Sequence, residues 1–260
     1  MKRFTLAMAL FLALGGNPAL AVESTPPPKE EEAETQRTEQ DESPASLFSA
    51  SATVGTSFVT QYVNARGFTP HDGPSLQPFA SVTLGHTPYG SLSYTMWQSL
   101  RLDHGTVTEE DHIVTYSNSA GPVTMNVEWA RYIAPGVGVF EEVNTSLSVD
   151  VPSHPKVLVA YDYRDGSGVF AELSVSQGIA LGGPLSLEGT LAGMYNGGYA
   201  VDSHSFAGLK FDISVPIQVT DGLTLRMHGR QFVATHEDFS SDTSVGATLT
   251  YTATNDEHKD

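Results

Sequence analysis

The chain contains no cysteine. It therefore has no disulfide framework, no thiol nucleophile and no cysteine-bound zinc. Basic residues are also scarce: 13 Lys and Arg stand against 30 Asp and Glu, a formal net charge of −17. That balance excludes nucleic acid as a partner, because gripping phosphates requires a basic surface. Long hydrophobic runs are missing as well. Beyond residue 21 no apolar stretch approaches the roughly 20 residues that a membrane-spanning helix needs. If the chain enters a membrane, it must do so as a closed β-barrel, where every backbone group is paired.

What is present begins with an export signal over residues 1–21. Lys2 and Arg3 form a basic start, Phe4 to Leu14 an apolar core, and Ala19-Leu20-Ala21 a small-residue cleavage site. Residues 22–46 carry Pro26-Pro27-Pro28 and eight acids against Lys29 and Arg37. This composition reads as a disordered acidic linker, periplasmic if the rest is a barrel.

From 47 to 252 the chain repeats one pattern, short segments in which polar and apolar residues alternate. Thr53-Val54-Gly55-Thr56-Ser57-Phe58 and Leu185-Ser186-Leu187-Glu188-Gly189-Thr190-Leu191 are examples. Period two marks strands with one apolar and one polar face. Twelve such strands are expected near 50–62, 76–85, 89–98, 111–118, 121–132, 141–151, 156–163, 168–178, 185–195, 205–215, 222–233 and 243–252, before a polar tail over 253–260. The connections alternate short and long, the longer ones near 63–75, 99–110, 133–140, 196–204 and 234–242, with 164–167 short out of turn. Tight turns at one end and longer loops at the other are the habit of outer-membrane barrels. The expected fold is all-β: a transmembrane, antiparallel, up-and-down β-barrel of about 12 strands, in the bacterial cell outer membrane.

The apolar face carries Val54, Phe58, Val123, Val127, Trp129, Val143, Leu147, Val149, Leu187, Leu191, Leu209, Phe211, Ile213, Leu223, Leu225, Val245, Leu249 and Tyr251. The opposite face carries Glu128, Asp150, Glu172, Glu188, Lys210, Asp212, Arg226 and Arg230, together with His228, Asn126 and several serines and threonines. An ionised arginine or lysine at mid-depth on a lipid face costs about 2–4 kcal/mol, so those eight residues are expected to point inward and line a pore. A soluble, lipocalin-like barrel would invert this arrangement. Period two alone does not say which face is inside. Aromatics near strand ends (Phe48, Tyr62, Tyr89, Tyr132, Tyr163, Tyr195, Phe232, Tyr251) favour the membrane arrangement, as interfacial girdles do.

Phe58-Val59-Thr60-Gln61-Tyr62-Val63 with Arg66-Gly67 resembles the opening strand of the TorF-like porin family. Val159-Ala160-Tyr161-Asp162-Tyr163 followed by Gly168-Val169-Phe170-Ala171-Glu172-Leu173-Ser174-Val175-Ser176 resembles that family's central hairpin. The match departs at residues 64–65, which are inserted before Arg66. The resemblance implies an outer-membrane channel and supplies no catalytic residue. Ser244, Gly246, Leu249 and Tyr251 resemble the barrel-assembly signal of a last strand, though its terminal phenylalanine is absent. That likeness implies the barrel-assembly machinery as a partner during biogenesis.

A nucleophile–histidine pair at fixed spacing is absent, so no catalytic residue is assigned and the chain is read as a non-enzyme. Histidine and carboxylates gather at His71-Asp72, Asp103-His104, Glu109-Glu110-Asp111-His112, Asp202 with His204, and His236-Glu237-Asp238. All of these read as loop residues, and no spacing fixes a metal site. No cofactor is expected. The function expected from the sequence is passive diffusion of small cationic or neutral solutes, with outer-membrane lipid and those solutes as partners. The rival is a non-conducting adaptor barrel whose acidic linker binds a partner.

Overall fold

The computed structural model describes residues 48–255, except 65, 67–68, 87–88, 165–166 and 200–201. The expected export signal and acidic linker fall outside the described residues, as do residues 256–260 and the side chains of Phe48 and His86.

All twelve expected strands form, in the order β1 (Phe48–Val59), β2 (Ser75–His86), β3 (Gly90–Arg101), β4 (Thr106–Ala120), β5 (Val123–Ala134), β6 (Gly138–Val149), β7 (Lys156–Asp162), β8 (Val169–Gly182), β9 (Leu185–Gly197), β10 (His204–Gln218), β11 (Leu223–Ala234) and β12 (Asp242–Thr254). Each pairs antiparallel with its neighbours in sequence, and β1 pairs with β12 from Ser51↔Thr254 to Val59↔Gly246, which closes the barrel. Closure leaves no sheet edge, so every strand's ladder has two partners.

Strand ends differ from expectation where polar residues continue a strand. β4 begins at Thr106 rather than near 111, because a register shift at Ser99/Leu100 lets Thr106 and Val107 pair with Arg101 and Leu100. Two connections expected to be long loops are therefore tight: 102–105 and 135–137. Gly105 and Gly136 make these turns with φ of 63° and 83°, a region that L residues enter at a cost. Segments 60–74, 198–203 and 235–241 remain longer connections, and they lie at one end of the barrel, the loop end, together with 163–168, which was expected to be short. The other end, the turn end, carries 87–89, 121–122, 150–155, 183–184 and 219–222.

The faces resolve the ambiguity of period two. Val54, Phe58, Val127, Trp129, Val143, Leu147, Ile213, Val245, Leu249 and Tyr251 are exposed on the outer wall. Leu187, Leu191, Leu209, Phe211, Leu223 and Leu225 share that face by alternation. An outer wall this apolar is the inverse of a soluble barrel, whose exterior must be wetted. Five exposed aromatics stand near strand ends on that wall: Tyr89, Tyr163, Tyr195, Phe206 and Tyr251. Three aromatics expected in the girdle turn inward instead. Tyr62 and Phe232 are buried, and Tyr132 donates its hydroxyl to Glu142.

Candidate functional site

The site is the barrel interior, which divides into a polar turn-end half and a filled loop-end half. A cavity of about 400 Å³ runs along β9 to β12, β1 and β2, lined by Ser57, Glu188, Asp212, Arg226, His228 and Arg230 among others, and reaches Gln61 and Val63 after β1 at the loop end. Its charges sit in cross-strand rungs. Asp212 and Arg230 face each other in register on β10 and β11, and Arg230 Nε donates to Asp212 Oδ1 at 2.6 Å. Arg226 pairs with Glu188 and donates to Ser214 Oγ at 2.7 Å, while Ser214 donates to Glu188 Oε2 at 3.1 Å. A hydroxyl ladder continues the lining: Ser57 to Thr248 at 2.6 Å, then Thr248 to His228 Nε2 at 3.1 Å. One rung also holds the segment after β1, since Arg230 Nη1 donates to the Val63 carbonyl at 3.2 Å.

The loop-end half is packed. Phe170 on β8, Met194 on β9 and Phe232 on β11 are 1%, 0% and 0% exposed, and they cluster with Ala160, Ala207, Val63 and Phe239. Lys210 reaches across β9 to Glu172 on β8 at 2.7 Å, with both side chains nearly enclosed. Arg66 crosses the interior from the segment after β1. It pairs with Glu142, donates to Asn144 Oδ1 at 3.3 Å and to the Tyr199 hydroxyl at 3.1 Å, and lies over the Phe170 ring at 4.9 Å. Tyr132 and Tyr199 also donate to Glu142. Burial opposes the Arg66 charge, but Tyr199 and Glu142 outweigh it and the net pKa is raised. Burial, followed by the Glu142 charge against the pull of Arg66, raises the Tyr199 phenol too.

The wall made by β4 to β6 carries a different set of acids. Glu128 accepts from Asn144 Nδ2 at 2.6 Å and from Thr115 Oγ1 at 3.3 Å. Asp111 is 8% exposed, and its Oδ1 has no hydrogen-bond partner among the described residues. Tyr62 packs nearby; burial, then the charges of Glu109 and Asp111, push its phenol well above its usual value. No described lysine or arginine comes within ion-pair distance of Glu109, Asp111 or Glu128.

Seven of the eight expected pore-lining residues therefore face the interior: Glu128, Glu172, Glu188, Lys210, Asp212, Arg226 and Arg230. Asp150 does not. It follows the last residue of β6 in the turn to β7, its side chain is 81% exposed, and His154 lies 3.3 Å away. A second correction concerns Glu109 to His112, expected in a loop. They lie in β4, Glu109 and Asp111 facing in and Glu110 and His112 facing out. Among the described residues no group of three or more histidines and carboxylates is placed to hold a metal. Sequence reasoning also missed Glu142, Asn144 and Tyr132. Alternation from Ser148 back through Ser146 and Asn144 to Glu142 was the available signal.

No protein-family model and no curated protein sequence matches the chain. Solved structures do match in fold. The NanC porin structure superposes with a TM-score of 0.51 at 10% identity, over 77% of this chain and 98% of that one. An outer membrane channel from Pseudomonas putida F1 gives 0.45 at 11% identity, over 85% and 100%. Outer membrane phospholipase A from Escherichia coli gives 0.46 at 12% identity, over 76% and 89%. At such identities the likeness is one of fold, and a shared fold does not carry a shared function.

Proposed function

We propose that this chain is an outer-membrane channel of the porin type, passing small cationic or neutral solutes by diffusion, and not an enzyme. The observation that carries the reading is the inside-out barrel, a closed polar-lined cylinder whose outer wall is apolar. A bilayer is the medium that covers such a wall. The bacterial outer membrane is the proposed location, with the longer loops outward, the acidic linker in the periplasm, and the barrel-assembly machinery as a partner during biogenesis. The TorF-like porins remain the proposed relatives.

The charge preference follows from the interior. Glu172, Glu188 and Asp212 are each neutralised by a basic partner, as is Glu142 by Arg66. Glu109, Asp111 and Glu128 have no such partner among the described residues. Glu109 and Asp111 share the inner face of β4, Asp111 buried, and two such neighbouring carboxylates do not both ionise, so the uncompensated negative charge of the β4–β6 wall rests first on Glu128. A narrow, low-dielectric passage focuses that field and concentrates cations over anions.

The test is single-channel recording of the full chain in a planar bilayer under a salt gradient. Discrete current steps with a cation-selective reversal potential are expected. Glu109→Gln with Glu128→Gln should move that potential towards zero. An unmoved potential would remove these two carboxylates from the account of selectivity. A second reading rests on the apolar fill of Val63, Phe170, Met194 and Phe232: a non-conducting barrel whose acidic linker binds a partner. A barrel that inserts and never conducts, yet loses a bound partner when residues 24–44 are deleted, would establish that reading instead.

A further inference from the structure

Outside β4 to β6, no described strand position on the outer wall carries a carboxylate, lysine or arginine. Within those three strands Glu110, His112, Arg131 and Glu141 all face outward. They fall into two networks. In the first, the Tyr94 hydroxyl meets His112 Nδ1 at 2.7 Å, His112 Nε2 meets Glu110 Oε1 at 2.9 Å, and Gln98 Nε2 donates to Glu110 Oε2 at 2.8 Å. Each of these groups finds its partner within the set.

The second network lies at the loop end, where Arg131 and Glu141 each stand three residues from the ends of β5 and β6. Arg164 Nη1 donates to Glu141 Oε1 at 2.6 Å, the Tyr163 hydroxyl donates to Glu141 Oε2 at 3.1 Å, and the Trp129 indole donates to the Tyr163 oxygen at 2.8 Å. Arg131 is left over. Its Nε stands 3.8 Å from Glu141 Oε1, its side chain is 43% exposed, and it makes no hydrogen bond to any described residue.

A guanidinium has five donors and no acceptor. Beside hydrocarbon, each unmet donor carries a penalty that water would otherwise remove. Among the described residues, Arg131 and Arg164 both turn to the single carboxylate of Glu141. The complement is an anion with several oxygens that sits at the membrane surface, and phosphate meets a guanidinium with two parallel bonds. Trp129 and Tyr163 place the rim at headgroup level, where aromatic side chains with one polar end settle. A second copy of this chain fits less well. A two-fold interface sets the same patch against itself, and here that brings like charges together.

We propose that the loop-end rim of β5 to β7, centred on Arg131 and Arg164, binds the phosphorylated headgroup of an outer-leaflet glycolipid. This rests on the outer-membrane reading above. The test refolds the full chain into phosphatidylcholine vesicles, with and without lipopolysaccharide. Lipopolysaccharide is expected to raise the wild-type melting temperature. The Arg131→Gln, Arg164→Gln double variant should match the wild type in plain vesicles and lose that increment. Lipopolysaccharide retained through purification should fall about tenfold or more, the scale of one charge-assisted hydrogen bond. Glu110→Gln, in the self-contained network, should keep both responses. Equal increments in wild type and double variant would overturn the proposal. So would a cross-linked dimer that the double variant abolishes, which would give the patch to a second copy. Failure to insert into either vesicle would overturn the outer-membrane reading itself, and the glycolipid site with it.

Discussion

Arg66→Ala will raise single-channel conductance and release the chain around Tyr62 and Val63 from the interior. Arg66 is the cation opposite Glu142, whose side chain is 1% exposed. Removing one partner of an enclosed ion pair strands the other, at a cost of about 3–5 kcal/mol. The barrel wall does not depend on that contact, because its ladder runs through all twelve strand pairs. The loss therefore falls on the inward packing of the segment after β1. Val63 then no longer caps the apolar cluster of Phe170, Met194 and Phe232. Hydrogen exchange at Tyr62 and Val63 should rise while the strand amides stay protected. Arg66→Lys keeps the charge but loses the fork that reaches Glu142, Asn144 and Tyr199 together, so an intermediate conductance is expected. A wild-type conductance in Arg66→Ala would show that this network does not set the width of the path.

The strands were legible because alternation is a local property that most of the twelve carry; β2 (Ala80-Ser81-Val82) and β4 (His112-Ile113-Val114) alternate poorly, and their faces were not assigned from sequence. Which face points inward was legible only on the membrane reading, where Arg226 and Arg230 are too costly beside lipid and the rest of their face follows by parity; a soluble barrel would have inverted it. Parity also placed Tyr132 and Phe232 inward, two and two residues on from Ala130 and Arg230. They were read outward because an aromatic near a strand end resembles a girdle residue. Local chemistry there outweighed the pattern that governs the strand. Glu109 to His112 failed for the opposite reason. Four consecutive polar residues hide their alternation, and only the pairing of Trp97 with Asp111 and Met96 with His112 shows that β4 passes through them.

The Arg66 site was beyond reach of the sequence for a different reason. Its partners come from β6, β8 and the segment after β9, and no spacing along the chain relates them. The same holds for Lys210 and Glu172, which meet across an intervening strand. Barrel size explains why such contacts matter. An eight-stranded barrel fills with its own side chains and sixteen or more leave an aqueous channel, so twelve strands stand between. Here that intermediate interior holds a polar half and a filled half, and on the proposed channel reading the residues that divide them set how much of it can conduct.

Leu191→Lys and Thr190→Lys, one residue apart on β9, will separate the two walls. Leu191 stands mid-strand on the outer face, paired with Phe211 on β10 and Val175 on β8. A lysine there meets lipid at depth and is expected to cost about 2–4 kcal/mol of stability in a bilayer. Thr190 lines the 400 Å³ cavity and donates to or accepts from Ser176 Oγ at 2.8 Å. Lysine at 190 loses that bond, a net loss of about 1 kcal/mol, and puts its ammonium into a space already lined by Glu188 and Asp212. Urea unfolding of both variants in phosphatidylcholine vesicles reads the difference directly. The ammonium at 190 should also shift the reversal potential towards anions, which a lysine at 191, on the far side of the wall, should leave unchanged. Equal destabilisation at the two positions would mean that the wall does not divide lipid from water at β9, and the membrane-spanning reading would fall with it.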